Sequence, residues 1–277
     1  MAGGPTTVEL VAAVCRAGGL GMIAGAMLSP AQIREQAAAI RRLTDRPFGI
    51  NLFVLPAAAP DAATLRAAQA RLAPFHDELG LPPPAIPNAW GEELAGQLAA
   101  VLDAAPAIVT THFGAPPESF VAALRARGTP LAVSATTPDE ARALEAAGAD
   151  FIVAQGAEAG GHRGTFLACP EAGTHPLHRA ALASAAGTMI TRGVTGRHAR
   201  GLRNRLLETL DRDAGSAPDY RVQNALAGPL RAAAAKQGRA ELMAMWAGQG
   251  HRLATDRPAG ELVRAFAAEA ASILRVG

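Results

Sequence analysis

The stretch "PLAVSATTPDEARALEAAGADFIVAQG", residues 130–156, contains one complete strand–helix–strand unit. Apolar runs predict strands over 130–136 and 151–156, and Pro138 opens a predicted helix over 138–147 between them. Both strands are apolar along most of their length, which is typical of a sheet covered on both faces. The unit therefore predicts two neighbouring strands of a parallel sheet.

The same alternation of helix and strand extends from this unit toward the N-terminus. Apolar residues at helical spacing predict a first helix over 6–19, and Ser29 caps a second helix whose first turn holds Pro30. Residues 56–87 are rich in Ala and Pro and form an excursion around a predicted helix at 62–79. Five strands are predicted in all: 20–25, 47–54, 107–114, 130–136 and 151–156.

Beyond residue 173 the pattern changes to helical segments, with no strand of comparable quality between them. We therefore divide the chain into a partial β/α domain, residues 1–172, and a helical C-terminal segment, residues 173–277. The segments predicted as helical are 175–185, 201–210, 224–237, 240–249 and 259–274.

Composition excludes several classes of protein. Of 277 residues, 49% are hydrophobic and 18% charged, but no charge-free apolar run is long enough to cross a membrane. The N-terminus shows no secretory signal, so we expect a cytoplasmic protein. The net charge is only +2, and the basic cluster at 196–206 is interpreted as a solvated helix face rather than a nucleic-acid site. Cys15 and Cys169 are too few for a disulfide framework or a zinc cage, and are expected to be buried or in a loop.

Polar residues follow the predicted strands at corresponding positions. They are Asn51, His112, residues 134–137 and residues 155–162. Because the loops after parallel strands gather at one face of a β/α fold, we expect these residues to lie together there.

The glycine-rich turn after the fifth strand carries the strongest chemical signal. Gly160 and Gly161 lack side chains, so their backbone N–H groups can approach an anion or the polar edge of a flat ring, and Gln155 supplies an amide. His162 is suited to carry a proton there because imidazole titrates near neutral pH. The residues by themselves leave a surface or capping role for His162 equally open.

Three further histidines have weaker signals. His112 precedes a tight turn, and a structural role is as good an interpretation as a substrate contact. His175 and His178 lack further ligands in a metal-binding pattern, so we predict no metal site.

On these residues the chain resembles the nitronate monooxygenase family, formerly called 2-nitropropane dioxygenases. The most specific shared motif is "AQGAEAGGHRG" at 154–164. Other matching stretches span most of the chain: 1–24, 48–53, 111–117, 134–150, 166–182 and 196–206.

The resemblance implies an FMN-dependent (β/α)8 barrel with an added helical domain. Carried over by motif, the residues that would contact FMN are Asn51, Gln155, Gly160 and Gly161. His162 would be the catalytic base or the anion-orienting group beside the flavin. His112 is the candidate substrate contact. The implied reaction oxidises a nitronate, or a nitroalkane after loss of its α-proton, with O2 to a carbonyl compound and nitrite, and needs no nicotinamide cofactor.

Two departures from the family pattern stand out. The chain begins at "MAGG", where the family's first barrel strand ends, so that strand is expected to be absent or upstream. The tripeptide Gly-Thr-Phe at 164–166 runs straight into "LACPEAG", which in the family follows the eighth strand. With about thirty residues per βα unit, this predicts an internal loss of about sixty residues, including two glycine-bearing turns that hold the FMN phosphate in the family.

We therefore expect an incomplete barrel of about five parallel strands with open edges, and possible self-association. Two other functions stay open. One is a flavin-type enoyl reductase, which shares the "EAGGH" core. The other is a catalytically inactive family remnant.

Overall fold

The computed structural model of the chain describes residues 3–159 and 164–275. Helices and strands alternate over its first half and helices predominate over its second. In chain order the elements are α1 (Val8–Arg16), β1 (Gly21–Ala24), α2 (Pro30–Leu43), β2 (Phe48–Phe53), α3 (Ala62–Glu78), α4 (Leu94–Ala104), β3 (Ile108–His112), α5 (Glu118–Ala126), β4 (Leu131–Ala135), α6 (Pro138–Ala146), β5 (Phe151–Ala154), α7 (Pro176–Ser184), β6 (Thr188–Thr191), β7 (Ala199–Leu202), α8 (Arg205–Asp211), α9 (Tyr220–Leu226), α10 (Gly228–Lys236) and α11 (Ala259–Arg275).

The five predicted strands form one sheet in the order β1-β2-β3-β4-β5, and every neighbouring pair is parallel. Among the described residues, β1 and β5 each have a neighbour on one side only, and the sheet does not close into a barrel. The predicted fold class, a barrel-type α/β fold with about five parallel strands, is confirmed.

Local sequence signals position the helices between these strands. At the start of α2, the Ser29 hydroxyl accepts from the Gln32 N–H, and the Gln32 side chain accepts from the Ser29 N–H. This reciprocal pair satisfies two backbone donors that a helix start otherwise leaves free. The Thr137 hydroxyl caps α6 in the same position, accepting from Glu140 N–H.

The two faces of the sheet differ in how far other residues bury them. Ile50, Val109 and Val133 belong to the face that packs against the helices, and all three are fully buried. The opposite face, here called the site face, carries Asn51, Thr110, Ala132 and Phe151, which pair across β2 to β5. Phe151, on the edge strand β5, is 58% exposed, so cover on the site face is lost toward that edge.

The helical C-terminal segment also contains two strands that were not predicted. β6 and β7 pair antiparallel, and Gly201 of β7 bridges to Trp246. The expectation of helix alone beyond residue 173 was therefore wrong at two places. Residues 196–206 include β7 rather than forming a solvated helix face, and residues 243–248 are not helical.

The C-terminal hydrophobic core extends beyond the C-terminal segment itself. Leu72 and Phe75 of α3 are buried in the same cluster as Leu206, Leu226 and Leu242. The predicted helix at 62–79 is therefore confirmed as α3, and it packs with residues more than a hundred positions later in the chain.

The loop at 169–173 joins the two ends of the described chain. The Thr7 hydroxyl donates to the Glu171 carbonyl at 2.5 Å, and Gly173 N–H donates to the Pro5 carbonyl at 3.1 Å. Both Glu171 carboxylate oxygens accept from the Ala259 N–H, which opens α11. Cys15 and Cys169 are both buried free thiols, as expected.

Candidate active site

The carboxyl ends of the strands bring several of the predicted site residues onto one face. In the sheet register Asn51 pairs with Thr110, and Phe53 pairs with His112. Gln155 directly follows β5, where its N–H donates to the Ala135 carbonyl at 2.9 Å. Its side chain is exposed at that end of the sheet.

Asn51 is fixed by the neighbouring strand. Its Nδ2 donates to Thr110 Oγ1 at 2.7 Å and to the Thr110 carbonyl at 3.3 Å. Its Oδ1 accepts none of the hydrogen bonds found among the described residues. Because an amide oxygen has two acceptor sites, this atom is free to accept from a ligand donor on the site face.

His112 ends β3 in a partly buried aromatic environment. Its ring centroid lies 5.9 Å from that of Phe53 and 6.2 Å from that of Phe113. Burial lowers the pKa of His112 below its ordinary 6.5, because the imidazolium is poorly solvated there. The ring is therefore neutral at pH 7 and can both donate and accept a hydrogen bond.

The turn after His112 is held in an unusual conformation. Phe113 has φ of 72°, a region that side-chain-bearing residues seldom adopt, and the Thr111 hydroxyl donates to the Gly114 carbonyl at 2.8 Å across the turn. This turn places Phe113 4.8 Å from Phe53, between ring centroids. A tight turn at this position was predicted, and it orients an aromatic side chain.

A C-terminal helix completes the aromatic group. Tyr220, at the start of α9, lies 5.7 Å from Phe53 and 5.8 Å from Phe113 between ring centroids, and burial raises the pKa of its phenol. We call Phe53, His112, Phe113 and Tyr220 the aromatic cluster. The guanidinium carbon of Arg197 lies 3.9 Å from the Phe113 centroid, which places a positive charge beside the cluster through a cation–π contact.

Gln97 of α4 was missed by the sequence analysis and supports the same end of the sheet. It is buried, and its Nε2 donates to the carbonyls of Gly25 at 3.1 Å and Leu28 at 2.9 Å. These bonds hold the turn that follows β1. The signal was available, because Gln97 is a polar residue on the apolar face of a helix, where an uncompensated amide is costly.

A cavity of about 130 Å³ opens beside this turn. Its lining combines the turn after β1, the end of β2, the loop before α4 and residues of α9, and includes Met27, Phe53, Trp90, Tyr220 and Asn224. Tyr220, Asn224 and Trp90 were not predicted as site residues, because the sequence gives no periodic signal for contacts so distant along the chain.

Three of the predicted site residues are not described by the structure, and the two histidines weighed as metal ligands lie elsewhere. Gly160, Gly161 and His162 fall outside the described residues. His175 caps α7, where its Nδ1 accepts from Leu177 N–H at 3.2 Å, and His178 is buried with its pKa lowered to about 4 by desolvation. Within residues 3–159 and 164–275, no group of three or more His, Cys, Asp or Glu side chains is placed to hold a metal ion.

No helix in the described part of the chain combines the length and apolar character needed to cross a membrane. A parallel sheet with helices on one face, and polar and aromatic side chains at the carboxyl ends of its strands, is the arrangement of the β/α-barrel class, whose active sites lie at that end of the strands.

Comparison with known proteins identifies the family. The sequence profile described as nitronate monooxygenase matches residues 1–166 and 164–269. Nitronate monooxygenase of Pseudomonas aeruginosa is 36% identical over 331 residues, an alignment that covers 96% of this chain and 93% of the relative. A probable nitronate monooxygenase of Staphylococcus aureus (strain Newman) is 32% identical over 318 residues, covering 94% and 90%. The chain belongs to the nitronate monooxygenase family, a family of oxidoreductases.

Solved structures agree with this assignment. A nitroalkane oxidase from Streptomyces ansochromogenes superposes with a TM-score of 0.90 at 35% identity, covering 100% of this chain and 95% of the other. FabK from Thermotoga maritima superposes with a TM-score of 0.73 at 22% identity, covering 99% and 93%, which indicates a shared fold.

The match to the family profile divides at the point where the shortening was predicted. Its two segments meet at residues 164–166, the tripeptide at which the loss was predicted. The alignment with the Pseudomonas relative is 331 positions long, at least 54 more than the 277 residues of this chain, so the relative has positions that this chain lacks.

Proposed function

We propose that this chain is an FMN-dependent nitronate monooxygenase that oxidises alkyl nitronates with O2 to a carbonyl compound and nitrite. The observation that carries the proposal is the position of the first part of the motif, residues 154–159. It continues directly from β5, and its Gln155 lies at the same end of the sheet as Asn51 and His112.

The described residues suit the polar edge of a flavin ring. Asn51 presents an amide oxygen to which no described residue donates, while Thr110 holds its nitrogen, and the exposed Gln155 amide can donate and accept. In the proposal Asn51 and Gln155 bind the ring, and the N–H groups of Gly160 and Gly161 approach its anionic or polar edge. When bound, FMN would supply the oxidation of the nitronate and pass the electron to O2.

The chain's own histidines have separate roles in this proposal. His162 holds the proton removed from a nitroalkane, or orients the nitronate anion. His112 is neutral and contacts the substrate through a hydrogen bond. The other members of the aromatic cluster exclude water from the side of His112 that faces away from the substrate. Arg197 adds a positive charge near the anionic substrate.

We also propose that residues 1–172 form the partial FMN-binding domain and residues 173–277 the helical segment that covers it. The contact of Tyr220 with Phe53 and Phe113 supports this division of roles, because it places a C-terminal residue against the carboxyl ends of β2 and β3.

The direct test is turnover by the purified full chain supplied with FMN. We expect O2 consumption and nitrite release when ethyl or propyl nitronate is added, and a matched loss of both in an Asn51→Ala variant. His198→Gln, a change at an exposed site, serves as the control.

The two alternatives give different results in the same preparation. NADPH-driven reduction of an enoyl thioester without nitrite release would assign the chain to the enoyl reductases. Absence of both activities in a folded, FMN-saturated protein would identify a catalytically inactive family member.

A further inference from the structure

The edge strand β5 has an exposed apolar surface that its neighbours do not cover. Phe151 is 58% exposed and Val153 is 44% exposed, and the two residues share the site face because they are two positions apart. Among the residues that the structure describes, β5 pairs with β4 on one side only. An unpaired strand edge presents backbone donors and acceptors to any second strand.

The sequence of this edge strand lacks the charged residues and prolines that normally prevent edge-to-edge pairing. Phe151, Ile152, Val153 and Ala154 include no charge and no proline. Asp150 precedes the strand, but its carboxylate is engaged with β4, where it accepts from Leu131 N–H at 2.8 Å. No like charges would therefore oppose each other across a second copy of the same strand.

The comparison with relatives agrees with a loss of chain close to this edge. The two profile matches meet at residues 164–166, shortly after β5, and at least 54 aligned positions of the Pseudomonas relative have no counterpart here. A loss at that junction would leave the outer edge of β5 and its two apolar side chains without the chain that follows β5 in the family pattern.

We infer that two copies of this chain associate through their β5 edges, antiparallel and about a two-fold axis at Ile152. In that register Phe151 of each copy lies opposite Val153 of the other, on the site face. Aromatic and β-branched residues form favourable cross-strand pairs, so the exposed surface is complementary to itself. The two sheets become one sheet of ten strands.

The contact is small for a protein–protein interface. A four-residue strand covers less area than the roughly 800 Å² per partner of a stable interface. We therefore expect a reversible dimer, whose population increases as the protein concentration rises through the micromolar range.

Sedimentation equilibrium on the full chain, without added flavin, tests the association. We expect a monomer–dimer equilibrium whose dissociation constant rises at least tenfold in Val153→Lys, because the lysine would lie against Phe151 of the second copy. Ile273→Lys introduces the same charge at another exposed apolar residue, on α11, and should leave the constant unchanged. Circular dichroism melting establishes that each variant folds.

Cysteine cross-linking tests the register. The double variant Phe151→Cys/Val153→Cys should give a covalent dimer under mild oxidation, and Phe151→Cys alone should give little, because its thiol faces Val153. A monomer at about 100 µM would overturn the inference. So would a dimer unaffected by Val153→Lys, or efficient cross-linking by the single variant.

Discussion

The side-chain amide of Asn51 on β2 donates to the hydroxyl of Thr110 on β3 at 2.7 Å, and its oxygen accepts no hydrogen bond from the described residues. If this contact orients Asn51 for FMN, its removal should weaken cofactor binding without unfolding the sheet. We expect Thr110→Val to raise the FMN dissociation constant about three- to tenfold, the effect of one neutral hydrogen bond. Thr110→Ser keeps the hydroxyl and should bind as the unaltered chain does. Flavin fluorescence titration measures both, and equal affinities in the two variants would remove Thr110 from this role.

We expect Gln155 to bind the cofactor and to take no part in removing the α-proton of a nitroalkane. Gln155→Ala should weaken FMN binding by a similar factor, because the exposed amide is lost while the backbone bond to Ala135 remains. Turnover at saturating FMN should change little. An unaltered FMN affinity would place Gln155 outside the cofactor site.

His162 should show the opposite behaviour. His162→Ala is expected to lower kcat with nitroalkanes by about 10²- to 10⁴-fold, the usual contribution of a positioned general base, and to leave flavin content unchanged. Turnover of preformed nitronates should fall less, since their α-proton is already gone. Equal loss with both substrates indicates that His162 orients the anion instead.

Buried His178 makes folding stability depend on pH. Its folded pKa of about 4 lies below the ordinary 6.5, so the unfolded chain binds the proton more readily. The stability contributed by the neutral ring is complete above pH 6.5 and declines as the pH falls toward 4, by about 2 kcal/mol between pH 7 and pH 5. Urea unfolding at several pH values should show this decline, and His178→Leu should flatten it. His198→Gln, at an exposed position, should retain the full decline; a decline equally retained in His178→Leu would contradict the assignment.

The cap on α11 is a stability feature of the "CPEAG" loop. Glu171 accepts from Ala259 N–H with both carboxylate oxygens at 3.1 Å. Glu171→Ala should lower the free energy of unfolding by about 1 kcal/mol, since a helix-start N–H loses its acceptor. Glu269→Ala, at an exposed position of the same helix, is the matched control. Equal melting temperatures for the two variants would show that the cap contributes nothing.

The sheet was predictable because its determinants are local. Each strand is a short apolar run, and the helices between strands carry their own starts at Ser29 and Pro138. The parallel order follows from the alternation, since consecutive strands joined by a helix become neighbours. The break at 164–166 was also visible, because the motifs on its two sides belong to different parts of the family pattern.

The parts that sequence reasoning missed depend on tertiary contacts. β6 and β7 are as short as β1 and β5 but do not alternate with predicted helices in a β/α pattern, and Gly201 is paired with Trp246 from a distant turn. Tyr220 reaches Phe53 and Phe113 only after the chain has folded back over the strand ends. Local propensity carries no information on such contacts.

The visible absorption spectrum of the purified chain, before and after incubation with FMN, tests the central claim most directly. If the carboxyl end of this five-stranded sheet is a working flavin site, the protein retains a flavin band near 450 nm through gel filtration, and the band bleaches under anaerobic nitronate. A folded protein that stays colourless with FMN at a concentration of about 100 µM would contradict the account, and membership of the nitronate monooxygenase family would then describe its ancestry and not its activity.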